Sequence, residues 1–157
     1  MTFAILTVCT GNICRSPTAE ALFRHAVQQR KLTHAFTWDS AGTMNYHVGE
    51  SADPRTIRTA ASHGIAMDDL RARQVRVLDF AAFDVILAMD AGHLRQLQRM
   101  APADAQHKLH LYLPYAGYTA VDDVPDPYYG PQRGFDEVFA MIEDATEKLI
   151  ARLTQQR

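Results

Sequence analysis

The octapeptide Cys-Thr-Gly-Asn-Ile-Cys-Arg-Ser at positions 9–16 constrains the fold more than any other feature of this chain. It follows the apolar run Phe3 to Val8 and precedes a segment with helical hydrophobic spacing. Ser16 is a favourable N-cap and Pro17 a favourable first helical residue, so the pattern predicts a strand, a loop and then a helix. The N–H groups of such a loop converge on one point, which favours an oxyanion such as phosphate.

Cys9 and Arg15 carry the predicted chemistry of this loop. A thiol held over the positive end of a helix and near a guanidinium has its pKa lowered to roughly 3.5–7.5, which makes Cys9 a candidate nucleophile directed at phosphorus. The planar fork of Arg15 suits two oxygens of one phosphate. The alternative is a buried core cysteine beside a solvated arginine; Gly11, which permits a tight or positive-φ loop, and Asn12, which tolerates the left-handed region, argue against it. The predicted phosphate-binding residues are Thr10, Gly11, Asn12, Ile13, Cys14, Arg15 and Ser16.

Apolar strands alternate with helical patterns along the chain, which predicts an α/β fold. We expect a doubly wound, four-stranded parallel sheet with helices on both faces and the phosphate-binding loop after the first strand. Beyond that first strand, the predicted strands are Phe36–Ala41, Asp84–Met89 and Leu109–Leu113. Asp53 and Pro54 start one predicted helix and Asp90 caps another. The last helix is predicted over Phe135–Leu153, with an apolar stripe of Phe135, Val138, Phe139, Ile142, Leu149 and Ile150.

Composition excludes several classes of protein. The 157 residues fit a single domain spanning positions 1–157, and the net charge of −2 without a basic stripe argues against nucleic-acid binding. No apolar run approaches membrane-spanning length, so we expect no membrane association. Scattered histidines and only two cysteines predict neither a metal site nor a disulfide scaffold. Because Met1 leads almost directly into the first strand, no signal peptide is expected, and a reduced thiol favours a cytoplasmic location.

The stretch Val121 to Gly134 is rich in Asp, Pro, Gly and Tyr, and its length suggests a functional loop. Asp126 is its best candidate acid, because a carboxyl group enclosed by prolines and Tyr128 could have a raised pKa and protonate a leaving oxygen. On local sequence alone, the favoured alternative is that Asp126 only forms an Asx turn before the following proline.

Several spaced motifs together resemble the low-molecular-weight protein tyrosine phosphatases, whose signature V-C-x-G-N-x-C-R-S-P is met by Val8 to Pro17. The resemblance covers most of the chain. It continues through Ser40–Thr43, His47–Gly49, Asp53–Arg55, Ala72–Gln74, Asp84–Asp90, Asp122–Tyr129 and Gly134–Phe135.

The resemblance implies a protein-tyrosine-phosphatase in which Cys9 attacks phosphorus and Asp126 is the general acid and then the base. No cofactor is required. Arg15 and the loop amides would stabilise the equatorial oxygens, and the Ser16 hydroxyl would hydrogen-bond the Cys9 thiolate. Asn12 would hold the loop in its unusual conformation with help from Ser40, for which an ordinary turn residue is the alternative.

The predicted partner is a tyrosine-phosphorylated protein. Tyr46, Tyr128 and Tyr129 could line a deep slot for a phenyl ring, although loop tyrosines are often mere surface residues. A tyrosine kinase is a second candidate partner, with Tyr128 or Tyr129 as its target. Cys14 could capture an oxidised Cys9 as a reversible disulfide, or could simply fill space in the loop.

The chain departs from the family pattern at Leu70, where relatives have a histidine. The polar network below the loop is therefore expected to be incomplete, or supported from Asp68, Asp69 or His63. The alternative is that the leucine simply packs at this position.

Two other functions are weighed. An arsenate reductase of related fold would need further cysteines after Cys14, and the sequence has none. A non-catalytic phosphotyrosine-binding module would be expected to have lost Cys9, Arg15 or Asp126, and all three are present.

Overall fold

Four parallel strands form one sheet in the order β2-β1-β3-β4. This is seen in a computed structural model, in which residues 2–155 are described. The strands are β1 (Phe3–Cys9), β2 (Phe36–Gly42), β3 (Val85–Ala88) and β4 (Leu109–Leu111). Phe3 pairs with Phe36, Ile5 with Val85 and Ile86 with Leu109 along the three interfaces of the sheet. The predicted four-stranded parallel sheet is confirmed.

Helices cover both faces of the sheet because alternate strand residues point to opposite sides. Leu6 and Val8 of β1 belong to one apolar cluster, and Ile5 belongs to the other. The cluster of Ile5 contains residues of α1 (Arg15–Gln29), α2 (Pro54–Ser62), α5 (Tyr112–Ala116) and α6 (Gln132–Gln155). The cluster of Leu6 contains residues of α3 (Asp79–Ala82), α4 (Ala91–Met100) and the 3₁₀ helix Ala103–Lys108.

Several predicted boundaries are wrong. The structure has β2 one residue longer, β3 one residue shorter at each end, and α6 longer at both ends than the predicted Phe36–Ala41, Asp84–Met89 and Phe135–Leu153. The fourth strand ends at Leu111, and Leu113 lies in α5. The apolar run alone cannot separate a strand from a helix, and Pro114 is tolerated in the first turn of α5, where its missing N–H has no intrahelical partner. Ser16 is not the N-cap of α1, because that helix begins at Arg15, two residues before the predicted Pro17, and Cys14 is at the cap position.

The predicted helix caps at Asp53 and Asp90 and the predicted apolar stripe of the last helix are confirmed. Asp53 caps α2 by accepting the Arg55 N–H, and Asp90 caps α4 by accepting the His93 N–H. Every member of the predicted apolar stripe of α6 is buried. The order of the strands reverses between β1 and β3, so their carboxyl ends open a crevice where an α/β sheet usually binds its ligand.

Candidate active site

The loop after β1 lies at this crevice and is packed tightly against β2. A Cβ atom on Gly42 would lie 2.6 Å from the Thr10 carbonyl oxygen, so only glycine lets the loop approach this closely. Asn12 adopts a left-handed conformation with φ 59°, as its residue type allows. Gly11 permits either a tight or a positive-φ loop, and its φ is not positive. Gly11 serves instead to admit the His47 ring, whose Cδ2 would lie 2.9 Å from an added Cβ.

Cys9 ends β1 with its thiol beside a hydroxyl. Its Sγ atom lies 3.0 Å from Ser16 Oγ, and both residues are buried. Ser16 Oγ accepts a hydrogen bond from Asn12 Nδ2 at 2.8 Å. The Ser16 hydroxyl can therefore donate its proton either to Cys9 Sγ or to the Ala41 carbonyl oxygen, which lies 3.3 Å from Ser16 Oγ.

Asn12 is the centre of the polar network under the loop. Its Nδ2 group also donates to Ser40 Oγ at 2.8 Å, and its Oδ1 atom accepts the Arg73 N–H at 3.0 Å. The Ser40 hydroxyl in turn donates to Glu20 Oε1 at 2.7 Å. Burial raises the pKa of Glu20 to about 7, an effect that the hydrogen bond from Ser40 offsets only in part.

The expected replacements for the family histidine do not support this network. Asp69 pairs with Arg24 at 2.8 Å, and the His63 ring stacks on Phe139. The Asp68 carbonyl accepts a bond from Arg71. Leu70 itself packs against the apolar cluster of β1 and α1. Glu20 and Arg73 take the supporting positions, and sequence reasoning missed both because nothing local to either residue points to the loop.

Arg15 is buried and held from two sides. Its Nη1 atom donates to Asp90 Oδ2 at 2.8 Å and to the Val124 carbonyl at 3.0 Å. Burial alone would raise the pKa of Asp90, but hydrogen bonds from the His93 N–H and from Arg15 outweigh it and lower that pKa. Asp90 thus orients the guanidinium while it caps α4, and only its capping role was expected from the sequence.

His93 fixes the first residue of the loop from the same helix. Its Nε2 atom shares a hydrogen bond of 2.7 Å with Thr10 Oγ1. Burial lowers the pKa of His93 to about 4, although the nearby Asp90 carboxylate opposes this effect. The imidazole is therefore neutral near pH 7 and acts as a hydrogen-bonding support.

Asp126 extends over the site from the loop before α6. Its side chain is 46% exposed, and Oδ2 lies 3.7 Å from Arg15 Nη2. Oδ1 accepts the Tyr128 N–H at 3.1 Å, which is an Asx turn. The turn and the candidate acid are thus compatible, because the turn fixes one oxygen and leaves the other facing Arg15.

An open slot brings most of the predicted residues together. Tyr46, Tyr128 and Tyr129 form its aromatic wall, and His47, which sequence reasoning did not propose for the site, also lines it. Asn12 and Ser16 do not line the slot and support the loop from behind. The remaining lining residues are Cys9, Thr10, Gly11, Ile13, Cys14, Arg15 and Asp126.

Cys14 is a free, buried thiol at the same loop. Burial raises its pKa to about 12.

Within residues 2–155, no three His, Cys, Asp or Glu side chains gather as metal ligands would. None of the helices in that same range has the length and apolar character that crossing a membrane requires.

Residues 4–157 match the family described as "Low molecular weight phosphotyrosine protein phosphatase". A low molecular weight protein-tyrosine-phosphatase of Streptomyces coelicolor is 46% identical over 159 residues, covering 99% of this chain and 96% of that protein. The crystal structure of an Entamoeba histolytica protein tyrosine phosphatase with Hepes in the active site superimposes with a TM-score of 0.93 at 39% identity, covering 99% of each chain. Bacillus subtilis YfkJ gives a TM-score of 0.93 at 36% identity, covering 100% of this chain and 98% of that one.

Proposed function

This chain belongs to the low molecular weight phosphotyrosine protein phosphatase family, and on that premise we propose that it hydrolyses phosphotyrosine in proteins, and small aryl phosphates, through a cysteinyl-phosphate intermediate. One observation carries the proposal: the Cys9 thiol, the Arg15 guanidinium and the Asp126 carboxyl line one slot. Such a slot offers a nucleophile, an anion clamp and an acid to the same phosphate ester.

In the first step, the Cys9 thiolate attacks phosphorus in line with the leaving oxygen. The S–P bond forms as the P–O bond to the tyrosyl group breaks, and Asp126 gives its proton to the departing oxygen. Protonation by a positioned acid contributes typically about 10²–10⁴ in rate. The Arg15 guanidinium and the amides of residues 10–16 stabilise the charge on the equatorial oxygens.

In the second step, a water molecule attacks the phosphorus of the intermediate, and Asp126 takes a proton from that water. The S–P bond breaks, inorganic phosphate is released and Cys9 returns as a thiolate. The contact of 3.0 Å between Ser16 Oγ and Cys9 Sγ supports a role for Ser16 in this step, because a hydroxyl donor lowers the energy of the departing thiolate. Asn12 and Ser40 keep that hydroxyl in place.

The aromatic wall supports phosphotyrosine over phosphoserine, since only the longer phenyl ester can reach the loop while its ring contacts Tyr46 and Tyr128. Tyr129 is 93% exposed, so a tyrosine kinase could reach it as a second partner of this site.

We also propose a redox role for Cys14, as the thiol that captures an oxidised Cys9 in a reversible disulfide. Its raised pKa makes this capture slow at neutral pH, because the thiolate is the attacking form. After mild peroxide treatment, Cys14→Ser should recover less activity with added thiol than the wild type. Equal recovery, with no bond between Cys9 and Cys14 detected by mass spectrometry, would exclude the role.

A substrate panel tests the proposed reaction. Metal-free protein should release phosphate from phosphotyrosyl peptides and p-nitrophenyl phosphate much faster than from phosphoseryl peptides, and it should not reduce arsenate in the presence of thioredoxin. Phosphate release confined to phosphoserine, or turnover of arsenate alone, would contradict it.

A further inference from the structure

A second groove opens beside the catalytic slot and is continuous with it. Thr10 and Tyr46 line both spaces, so a chain whose phosphotyrosine occupies the slot can extend past Tyr46 into the groove. The far wall of the groove is the exposed side of α4, where Arg95, Gln96 and Arg99 lie. Nothing in the reaction described above uses these three residues.

The groove presents two uncompensated positive charges. Arg95 and Arg99 are exposed, and within residues 2–155 neither makes an ion pair or a side-chain hydrogen bond. The carboxylate on the same wall, Asp90, is already engaged by Arg15 Nη1 and by the His93 N–H. His93 is neutral near pH 7, because burial lowers its pKa to about 4.

The two arginines occupy positions i and i+4 of α4, which places them on the same side of the helix. Like charges at this spacing destabilise a helix. Arg99 lies in the last turn of α4, where a cation also interacts favourably with the helix dipole, but Arg95 does not. Arg24 and Arg30, in contrast, each pair with a carboxylate. Arg95 Nη2 lies 3.8 Å from the position a Cβ would take on Gly92, so this guanidinium turns toward the end of α4 that faces the phosphate loop.

We propose that this groove binds an anionic side chain of the substrate that flanks the phosphotyrosine, with Arg95 and Arg99 as its specificity-determining residues. The inference rests on the proposed phosphatase activity. An extended peptide rises about 3.3 Å per residue, so a side chain two or three residues from the phosphotyrosine lies about 7–10 Å from it along the chain. A carboxylate and a second phosphate share the required chemistry, and Arg binds either with paired hydrogen bonds.

The test measures kcat/KM on phosphotyrosyl peptides in which a single Glu is moved from three residues before to three residues after the phosphotyrosine in an otherwise neutral sequence. A second series places another phosphotyrosine at the same positions, which separates the two sources of negative charge. At low salt, the wild type should prefer the best-placed anion over alanine by about 3- to 10-fold, as two exposed ion pairs allow, and the preference should shrink as salt is added.

The double variant Arg95→Gln/Arg99→Gln should lose that preference through KM and keep the wild-type rate on p-nitrophenyl phosphate, which is too small to reach the groove. Arg95→Lys/Arg99→Lys should restore most of the preference. The matched control Arg30→Gln/Lys148→Gln removes the same charge from two residues that do not line the groove, and it should behave as the wild type does.

Three results would overturn the proposal: no preference for an anion at any position, a preference that survives in the glutamine double variant, or an equal loss in the matched control. Failure of the phosphatase activity itself would appear separately, as no turnover of p-nitrophenyl phosphate. In that event, calorimetric titration of the peptides into Cys9→Ser still reports whether the groove distinguishes Glu from Ala.

Discussion

The phosphate loop and the acid loop, residues 121–131, meet at one slot but are built in opposite ways. In the phosphate loop, Asn12, Arg15 and Ser16 are each at most 3% exposed, and the side chain of each forms a hydrogen bond with a residue distant in the sequence. In the acid loop, Asp126 is about half exposed and its neighbour Tyr129 is 93% exposed. The acid loop is held by a few bonds, among them the bond from Val124 N–H to the Met89 carbonyl.

The difference follows from what each loop has to do. An anion site stabilises developing charge best when its donors are fixed before the substrate arrives, which requires a buried and fully bonded frame. An acid that becomes a base must reach the leaving oxygen in the first step and the attacking water in the second, which requires a side chain that is open to the slot and to water. The rigid part of the site is therefore in the sheet-and-helix frame, and the proton-transferring part is at the surface.

The largest expected effect separates the two functions of the phosphate loop. Cys9→Ser should abolish turnover and retain binding of phosphate or vanadate, since the loop amides and Arg15 remain. Arg15→Ala should lose both, because it removes the clamp and leaves the Asp90 carboxylate without its partner. Steady-state rates and calorimetric titration with vanadate measure the two effects. Tight oxyanion binding by Arg15→Ala would mean that the amides alone form the site.

The next effect concerns the acid loop. Asp126→Asn should lower kcat for phosphotyrosine by about 10²–10⁴, and by much less for aryl phosphates whose leaving groups need little protonation. Oxyanion binding should be unchanged, because Asp126 is not part of the buried frame. A series of leaving groups of increasing acidity measures this, and equal losses across the series would show that Asp126 is not the acid.

A smaller effect tests the buried network beneath the phosphate loop, through the pH dependence of the free energy of unfolding. The pKa of Glu20 is raised to about 7 in the folded protein, so between about pH 4.5 and 7 the folded state binds more protons than the unfolded chain. The contribution of Glu20 to stability is therefore full below that range and is lost as pH rises through it. His93 has the opposite sign, since its lowered pKa costs stability as pH falls below its ordinary value of 6.5.

Comparing the wild type with Glu20→Gln isolates the first contribution, because His93 is common to both. Relative to the variant, the wild type should lose roughly 1–3 kcal/mol of unfolding free energy between pH 5 and pH 8. Urea unfolding at several pH values measures the difference. Parallel curves would show that Glu20 is not a buried acid beneath the loop.

The smallest effect is expected at Leu70. Leu70→His should leave substrate binding nearly unchanged and raise turnover modestly, if the imidazole strengthens the support of Asn12 and Ser40. An unpaired buried imidazole would instead cost about 1–3 kcal/mol of stability. Turnover and thermal unfolding, measured beside Ser40→Ala, separate these results. A destabilised variant without any gain in turnover would mean that the site has repacked around leucine.

The sequence was most informative where function depends on neighbouring residues. The signature loop and the strand that precedes it could be predicted because glycine, asparagine and the flanking apolar run act locally. The partners of the loop could not. Asp90 lies 75 residues from Arg15 and Glu20 lies 20 residues from Ser40, so only the packing of the sheet brings them together. The prediction of Ser16 as an N-cap is wrong for a related reason. Ser-Pro is typical of a helix start, whereas here the Ser16 hydroxyl lies beside the Cys9 thiol.

Trapping the intermediate tests the central claim most directly. Ser16→Ala should slow the release of Cys9 from phosphorus more than the first step, so that the phosphorylated enzyme accumulates during turnover. Acid quenching followed by mass spectrometry should then find one phosphoryl group, attached to Cys9. A phosphoryl group on another residue, or a Cys9→Ser protein that turns over at the wild-type rate, would contradict the account.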